Sequence, residues 1–165
     1  MGVYVDDLII TGTSVLDIVK FKAQMQQMFK MSDLGLLSYY LGIEVCQGDG
    51  EITVCQGAYA AKILEHAGMG GCNPCHTPME NRLRLSKHDG SAAVDTTKYR
   101  SVIGSLRYLV NTRPDIAHAV GIASRYMEAP STQHWAAIKQ ILRYIQGTLS
   151  YGCCYKSGGG EACNV

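Results

Sequence analysis

The sequence predicts an α+β fold, with β-hairpins in front and a helical bundle behind. Three observations lead there. Short β-branched and aliphatic runs broken by turn residues extend to Gln56, apolar residues recur at helical spacing from Tyr99 onward, and a Gly- and Pro-bearing stretch separates the two.

The elements follow in order. Val3 to Val5 and Leu8 to Ile10 flank Asp6-Asp7, the pattern of a tight hairpin with two carboxylates at its tip. Ser14 and Asp17 make an S-x-x-D start, and Ile18, Phe21, Met25 and Met28 carry a helix over residues 14–29. Leu36 to Cys46 and Glu51 to Gln56 read as strands joined across Gly48-Asp49-Gly50, a second hairpin. Tyr59 to His66 is a short helix that Gly68 ends. From Gly70 to Val94 the periodicity is lost among Gly70-Gly71, Pro74, Pro78 and Gly90, so this is a long connection.

Three further helices are predicted. Residues 97–110 align Tyr99, Val102, Ile103, Leu106 and Leu109, with Gly104 allowing a neighbour to approach closely. Pro114 opens a helix over 114–127, striped by Ile116, Val120, Ala123 and Met127. The last runs from His134 to Gln146 through Trp135, Ile138, Leu142 and Ile145, with Gly147 as its stop. The segments are therefore 1–56, 57–95, 96–150 and a frayed, Gly-rich tail over 151–165.

Composition bounds the function. With 47% hydrophobic and 18% charged residues the chain can bury a core, so it is globular rather than disordered. No run approaches the roughly 20 apolar residues that span a bilayer, and Asp6-Asp7 breaks any signal peptide at once. A soluble, intracellular protein with reduced thiols is expected from its seven cysteines. The net charge of +1 hides an asymmetry. Residues 1–50 hold three basic and six acidic side chains, whereas 96–150 hold seven basic and two acidic. Such a split can separate metal binding from phosphate binding, or reflect solvated helix faces.

Two carboxylates on a hairpin tip are hard oxygen ligands of the kind Mg²⁺ prefers, although Asp also favours turns for its own backbone-bonding reasons. Cys72-Asn73-Pro74-Cys75-His76 has the spacing of c-type haem attachment and of half a zinc site. Haem attachment needs an exported context that the chain lacks, so no haem is expected. Zinc would need a further ligand from Cys46, Cys55, His66 or His88.

Tyr4-Val5-Asp6-Asp7 followed by Leu8-Ile9-Ile10-Thr11-Gly12 resembles the palm motif of reverse transcriptases. The remaining blocks resemble the copia-type retrotransposon family in order: Met31-Ser32-Asp33-Leu34-Gly35, Tyr40-Leu41-Gly42-Ile43-Glu44-Val45, Thr77-Pro78-Met79, Tyr99 to Leu106, Thr112-Arg113-Pro114-Asp115-Ile116, His134-Trp135 and Leu142 to Thr148. Any one block is weak, but their co-linearity is specific.

The resemblance implies a partial palm of two hairpins with an intervening helix, followed by a helical thumb-like region. It implies Asp6 and Asp7 as catalytic Mg²⁺ ligands in a two-metal site and Leu41, Gly42 and Ile43 as a primer grip, where a glycine would let the backbone approach a sugar-phosphate. It adds Arg100, Arg107, Arg113, Lys139 and Arg143 as candidate partners for the phosphates of an RNA template and DNA primer, without sequence preference. Trp135 and Tyr144 could stack on bases, although their helical spacing favours packing. Cys75 and His76 depart from the family pattern and read as local variation.

A working palm also needs a third carboxylate from an upstream strand and the fingers that hold the incoming nucleotide, all of which would lie before Met1, and the resemblance fades after Tyr155, where a ribonuclease H portion would begin. The expectation is a fragment of an RNA-directed DNA polymerase, inactive alone, whose partners are the upstream fingers and palm and the downstream ribonuclease H portion of its polyprotein. It would work in the cytoplasm or in cytoplasmic virus-like particles, without a membrane partner. The alternatives are a non-catalytic nucleic-acid-binding remnant and a decayed product with no molecular role.

Overall fold

Local signals set the first elements. Gly2–Tyr4 (β1) pairs antiparallel with Asp7–Ile9 (β2), and Ser14 caps the helix Val15–Met28 (α1) by accepting the Asp17 amide at 3.3 Å. Ile18, Phe21 and Met25 are half-buried along one side of α1, while Met28, expected to share that stripe, is 68% exposed. After α1 the Lys22 ammonium bonds both carboxylate oxygens of Asp33, at 2.9 and 3.0 Å, and the Gly35 amide adds a third bond. These interactions, the ammonium first, hold the Asp33 carboxyl below its ordinary range. The computed structural model describes residues 1–48 and 50–157 and divides them into two units, Met1–Ser38 and Tyr39 onward.

The second unit opens with an antiparallel sheet in the order β3-β4-β5-β6, formed by Tyr39–Tyr40, Ile43–Gly48, Glu51–Cys55 and Gly152–Lys156. The single strand expected over Leu36–Cys46 is thus two, folded at Leu41-Gly42. The strand β6 corrects the frayed tail expected from residue 151. Its residues alternate across the pleat in register with β5, from Glu51 opposite Lys156 to Cys55 opposite Gly152. At Gly152 an added Cβ would lie 2.3 Å from the Val54 carbonyl oxygen, so only glycine fits there. The Gly-rich remainder, residues 158–165, lies outside the described residues, as does Asp49 in the expected turn.

Helices Gly57–Ala67 (α2), Thr96–Leu109 (α3), Ala117–Ser124 (α4) and Thr132–Gln146 (α5) enclose the core. Asp95 starts α3 by accepting the Thr97 and Lys98 amides at 2.8 and 3.3 Å, and Gly68, at φ 72, ends α2. The periodic residues share one core: Tyr99, Val102, Ile103, Leu106 and Leu109 of α3 and Ile138, Ile141, Leu142 and Ile145 of α5 are all at most 1% exposed. Each fully buried aliphatic side chain of this kind contributes roughly 1.5–3 kcal/mol. Gly104 does not have the close neighbour expected of it, because an added Cβ there meets nothing within 4 Å.

The helix expected over 114–127 is a 3₁₀ turn, Pro114–Ile116, that leads into α4. Gly147 follows α5 at φ −81 rather than in the left-handed conformation that makes glycine a helix stop. Its reason is space: an added Cβ would come within 2.9 Å of Pro74. The connection over 70–94 is irregular but anchored, since the Cys75 amide donates to the Arg143 carbonyl and Ala93 bridges Ser131. Among the described residues no helix is long and apolar enough to cross a membrane.

Candidate functional site

The register Tyr4 opposite Asp7 makes Val5-Asp6 the turn of the first hairpin. Asp7 therefore begins the second strand, one position past the tip where both carboxylates were expected. Val5 sits at φ 49, a left-handed conformation that β-branched residues rarely adopt, at a strain of order 1–3 kcal/mol. Asp6 and Asp7 are both exposed. Two neighbouring exposed carboxylates suit a hard cation such as Mg²⁺, which takes a few carboxylates together with water and phosphate oxygens. Among the described residues no group of three His, Cys, Asp or Glu side chains stands ready to hold a metal ion.

The predicted grip residues form the tight turn between β3 and β4. Leu41 at φ 50 and Gly42 at φ 82 are its two central residues, and Ile43 pairs with Tyr40. This is the twist of a two-residue hairpin loop, for which glycine is suited at the second place. An added Cβ at Gly42 would meet nothing within 4 Å, so within this chain the residue answers to φ and not to a close neighbour.

The five basic candidates separate. Arg113 is 1% exposed and forks onto Asp115, with Nε to Oδ1 at 2.9 Å and Nη2 to Oδ2 at 2.7 Å. Its remaining donors reach the Thr148 carbonyl at 2.9 Å and hydroxyl at 2.8 Å, while the Tyr144 and Tyr151 rings lie 5.7 and 5.4 Å from its guanidinium carbon. With four of its five N–H donors engaged and only 1% of its surface exposed, Arg113 is a structural cation, which corrects its expected place against a phosphate. Burial raises the Asp115 carboxyl, but the Arg113 fork and charge, with the Tyr144 hydroxyl, outweigh it and leave the pKa lowered. Burial and then the Asp115 hydrogen bond push the Tyr144 phenol up.

The other four cations are exposed. Arg100 donates through Nε to the Met127 carbonyl at 2.8 Å, and Arg143 through Nε to the Asn73 carbonyl at 2.7 Å. Those bonds fix each stem without consuming the rest of its fork. Lys139 and Arg143, four residues apart on α5, line an open cavity of about 580 Å³ floored by Met69, Leu83 and Ala137. Arg107 lies in the last turn of α3. Trp135 is half-buried beside Tyr99, ring centroids 6.3 Å apart, with the Lys98 ammonium 5.5 Å from its own centroid. Tyr144 is likewise half-buried against the core. Both therefore serve packing in this chain.

The Cys-x-x-Cys-His segment belongs to the connection. The Cys75 thiol donates to the Thr77 and Gln140 carbonyls at 3.3 and 3.4 Å, which ties the segment to α5, and His76 is exposed.

With the acidic hairpin, the second hairpin and the helices located, the comparisons with known proteins become decisive. Residues 1–81 match the reverse transcriptase (RNA-dependent DNA polymerase) family. The similarity to transposon proteins runs further. The chain is 37% identical over 158 residues to the retrovirus-related Pol polyprotein from transposon RE2 of Arabidopsis thaliana, covering 96% of this chain and 11% of that protein. It is 38% identical over 167 residues to the Pol polyprotein from transposon TNT 1-94 of Nicotiana tabacum, covering 96% and 12%. A putative transposon Ty5-1 protein of Saccharomyces cerevisiae is 31% identical over 167 residues, covering 100% of this chain and 54% of its own. No solved structure matches.

The reverse transcriptase match spans both hairpins, α1 and α2 and ends within the connection. The helical region beyond it lies outside that match and is covered by the Pol polyproteins and by the Ty5-1 protein. The chain spans about a tenth of the first of those polyproteins. The Arg113 network, which a search for phosphate-binding cations passes over, has one signal in the sequence. Arg113-Pro114-Asp115 sets a cation two residues from a carboxylate across a proline that fixes the backbone between them.

Proposed function

We propose that this chain is the segment of a copia-type retrotransposon reverse transcriptase that carries the catalytic hairpin, the primer grip and a thumb-like helical region. The observation that carries this reading is Tyr4-Val5-Asp6-Asp7 on a tight hairpin turn, with two exposed carboxylates, inside the reverse transcriptase match. Asp6 and Asp7 would hold Mg²⁺, which when bound lowers the cost of forming a nucleophilic 3′-oxygen and stabilises the departing pyrophosphate. In that reaction a bond forms from the primer 3′-oxygen to the α-phosphorus of a nucleotide, and the bond to pyrophosphate breaks. The turn at Leu41, Gly42 and Ile43 would hold the primer end. Arg100, Arg107, Lys139 and Arg143 would track the phosphates of an RNA template and DNA primer by charge, without reading sequence. The rest of the palm, the fingers and a ribonuclease H portion would come from other parts of the Pol polyprotein.

The 165-residue chain alone is not a polymerase in this reading, because two carboxylates make an incomplete site. A primer-extension assay on an RNA template with Mg²⁺ or Mn²⁺ tests it, with no extension expected. Templated extension that disappears in Asp6→Asn would show the site to be complete and would overturn the fragment reading. The second reading, a nucleic-acid-binding remnant without catalysis, is favoured by the absence of a third metal-binding side chain near Asp6 and Asp7 among the described residues. Submillimolar Mg²⁺ affinity by calorimetry that is lost in Asp6→Asn would count against it.

A further inference from the structure

We propose that Tyr108 is a positioning residue for the Leu41-Gly42 turn, fixing the shape in which that turn meets a primer end. This deepens the primer-grip reading and rests on it. The turn has a weak point. Both central residues have positive φ, which Gly42 accepts freely and Leu41, at φ 50, does not. Loops of this kind ordinarily place Asn, Asp or Gly first. Leucine therefore holds the conformation only if something outside the turn over-determines it.

That support comes from α3. The Tyr108 hydroxyl donates a hydrogen bond to the Leu41 carbonyl oxygen, across 67 residues of sequence. The phenol is itself held from two sides. Its backbone belongs to the last turn of α3, and its ring stands edge-on to Tyr59 of α2, centroids 5.3 Å apart and planes at 89°. The bond thus ties the turn to two helices whose inner faces are buried. Leu41 remains 40% exposed, so with its carbonyl engaged inward it keeps a side chain available to an outside partner. A shift of α3 along its axis would be transmitted to the turn.

Tyr108→Phe tests this, since it removes the hydroxyl and keeps the ring against Tyr59. In the full chain, amide exchange at Ile43 is expected to accelerate about tenfold while Val102 and Leu106 in α3 stay within about twofold of wild type. The expected factor is that of losing one hydrogen bond of about 1.4 kcal/mol. Adding Leu41→Gly, which relieves the positive φ, should return Ile43 to about the wild-type rate. Unchanged exchange at Ile43, or equal acceleration throughout α3, would overturn the positioning role. Binding to an RNA–DNA hybrid with a recessed primer end, against a blunt one, supplies the functional arm. Wild type should prefer the recessed end, and Tyr108→Phe should lose that preference. A wild-type chain with no end preference would bring down the primer-grip reading and the role built on it. A preference that survives in Tyr108→Phe would bring down the role alone.

Discussion

Arg113 shows how far a residue's surroundings can redirect its chemistry. Four hydrogen bonds to Asp115 and Thr148 hold a guanidinium that is 1% exposed, and cutting it away would strip Asp115 of its counter-charge and the Thr148 carbonyl of one of its donors. Arg113→Ala should therefore cost about 3–5 kcal/mol in denaturant unfolding while leaving the salt dependence of nucleic-acid binding unchanged. A loss under about 1 kcal/mol would show that the network contributes little. The pair also gives stability a pH dependence. Because the folded Asp115 pKa lies below its unfolded value, its contribution is fully present above the ordinary carboxylate range near pH ~4 and is lost as pH falls through the folded value. Asp115→Asn should flatten that acid limb in unfolding measured against pH. The charge of Arg113 is visible in the sequence, but its burial is not, since burial depends on Thr148, Tyr144 and Tyr151 arriving from later in the chain.

At the scale of elements, α3 and α5 carry the exposed cations left once Arg113 is withdrawn. Arg107 and Arg143 sit on different helices, so their effects on a phosphate-tracking surface should add. For every phosphate that is no longer neutralised, the slope of log K against log[salt] flattens by roughly 0.9. Replacing both by Ala should reduce the slope for an RNA–DNA hybrid by up to about 1.8, as titrations between low and physiological salt would measure. An unchanged slope would leave these helix faces as solvated surface. The helices themselves are legible because local signals agree with the final packing: Gly68 marks an end, and Tyr99 to Leu109 bury the stripe that periodicity indicates. The sheet is legible only in part. β6 is paired with a strand about a hundred residues earlier, and a short Cys- and Tyr-bearing run beside glycines gives no sign of so distant a partner. The turn at Leu41-Gly42 is hidden for a related reason, because leucine is not a residue that announces positive φ.

For the molecule as a whole, the division after Ser38 falls earlier than the expected segment boundary at Gln56 and changes which part should be weak. No residue from Met1 to Ser38 is buried, and Val3, Val5, Val15, Leu16, Val19 and Leu34 are each more than half exposed. An isolated two-stranded hairpin is marginal in water, and α1 has no buried side chain to offset the entropy of ordering it. The strands β4, β5 and β6, by contrast, share their unit with the helices that hold the core. Native-state hydrogen exchange should therefore divide near Ser38, with fast exchange before it and protection from Tyr99 to Gln146 that extends into β5. The same exposed apolar surface and the open hairpin edges should promote self-association, rising with protein concentration in sedimentation measurements and falling in Val3→Lys. In the presence of the upstream part of a Pol polyprotein, residues 1–38 should gain protection if that part packs on them, and Val3→Lys should remove the gain. Equal protection along a monomeric chain would mean that residues 1–38 are stable by themselves, and the reading of the hairpin as half of a larger site would fall with it.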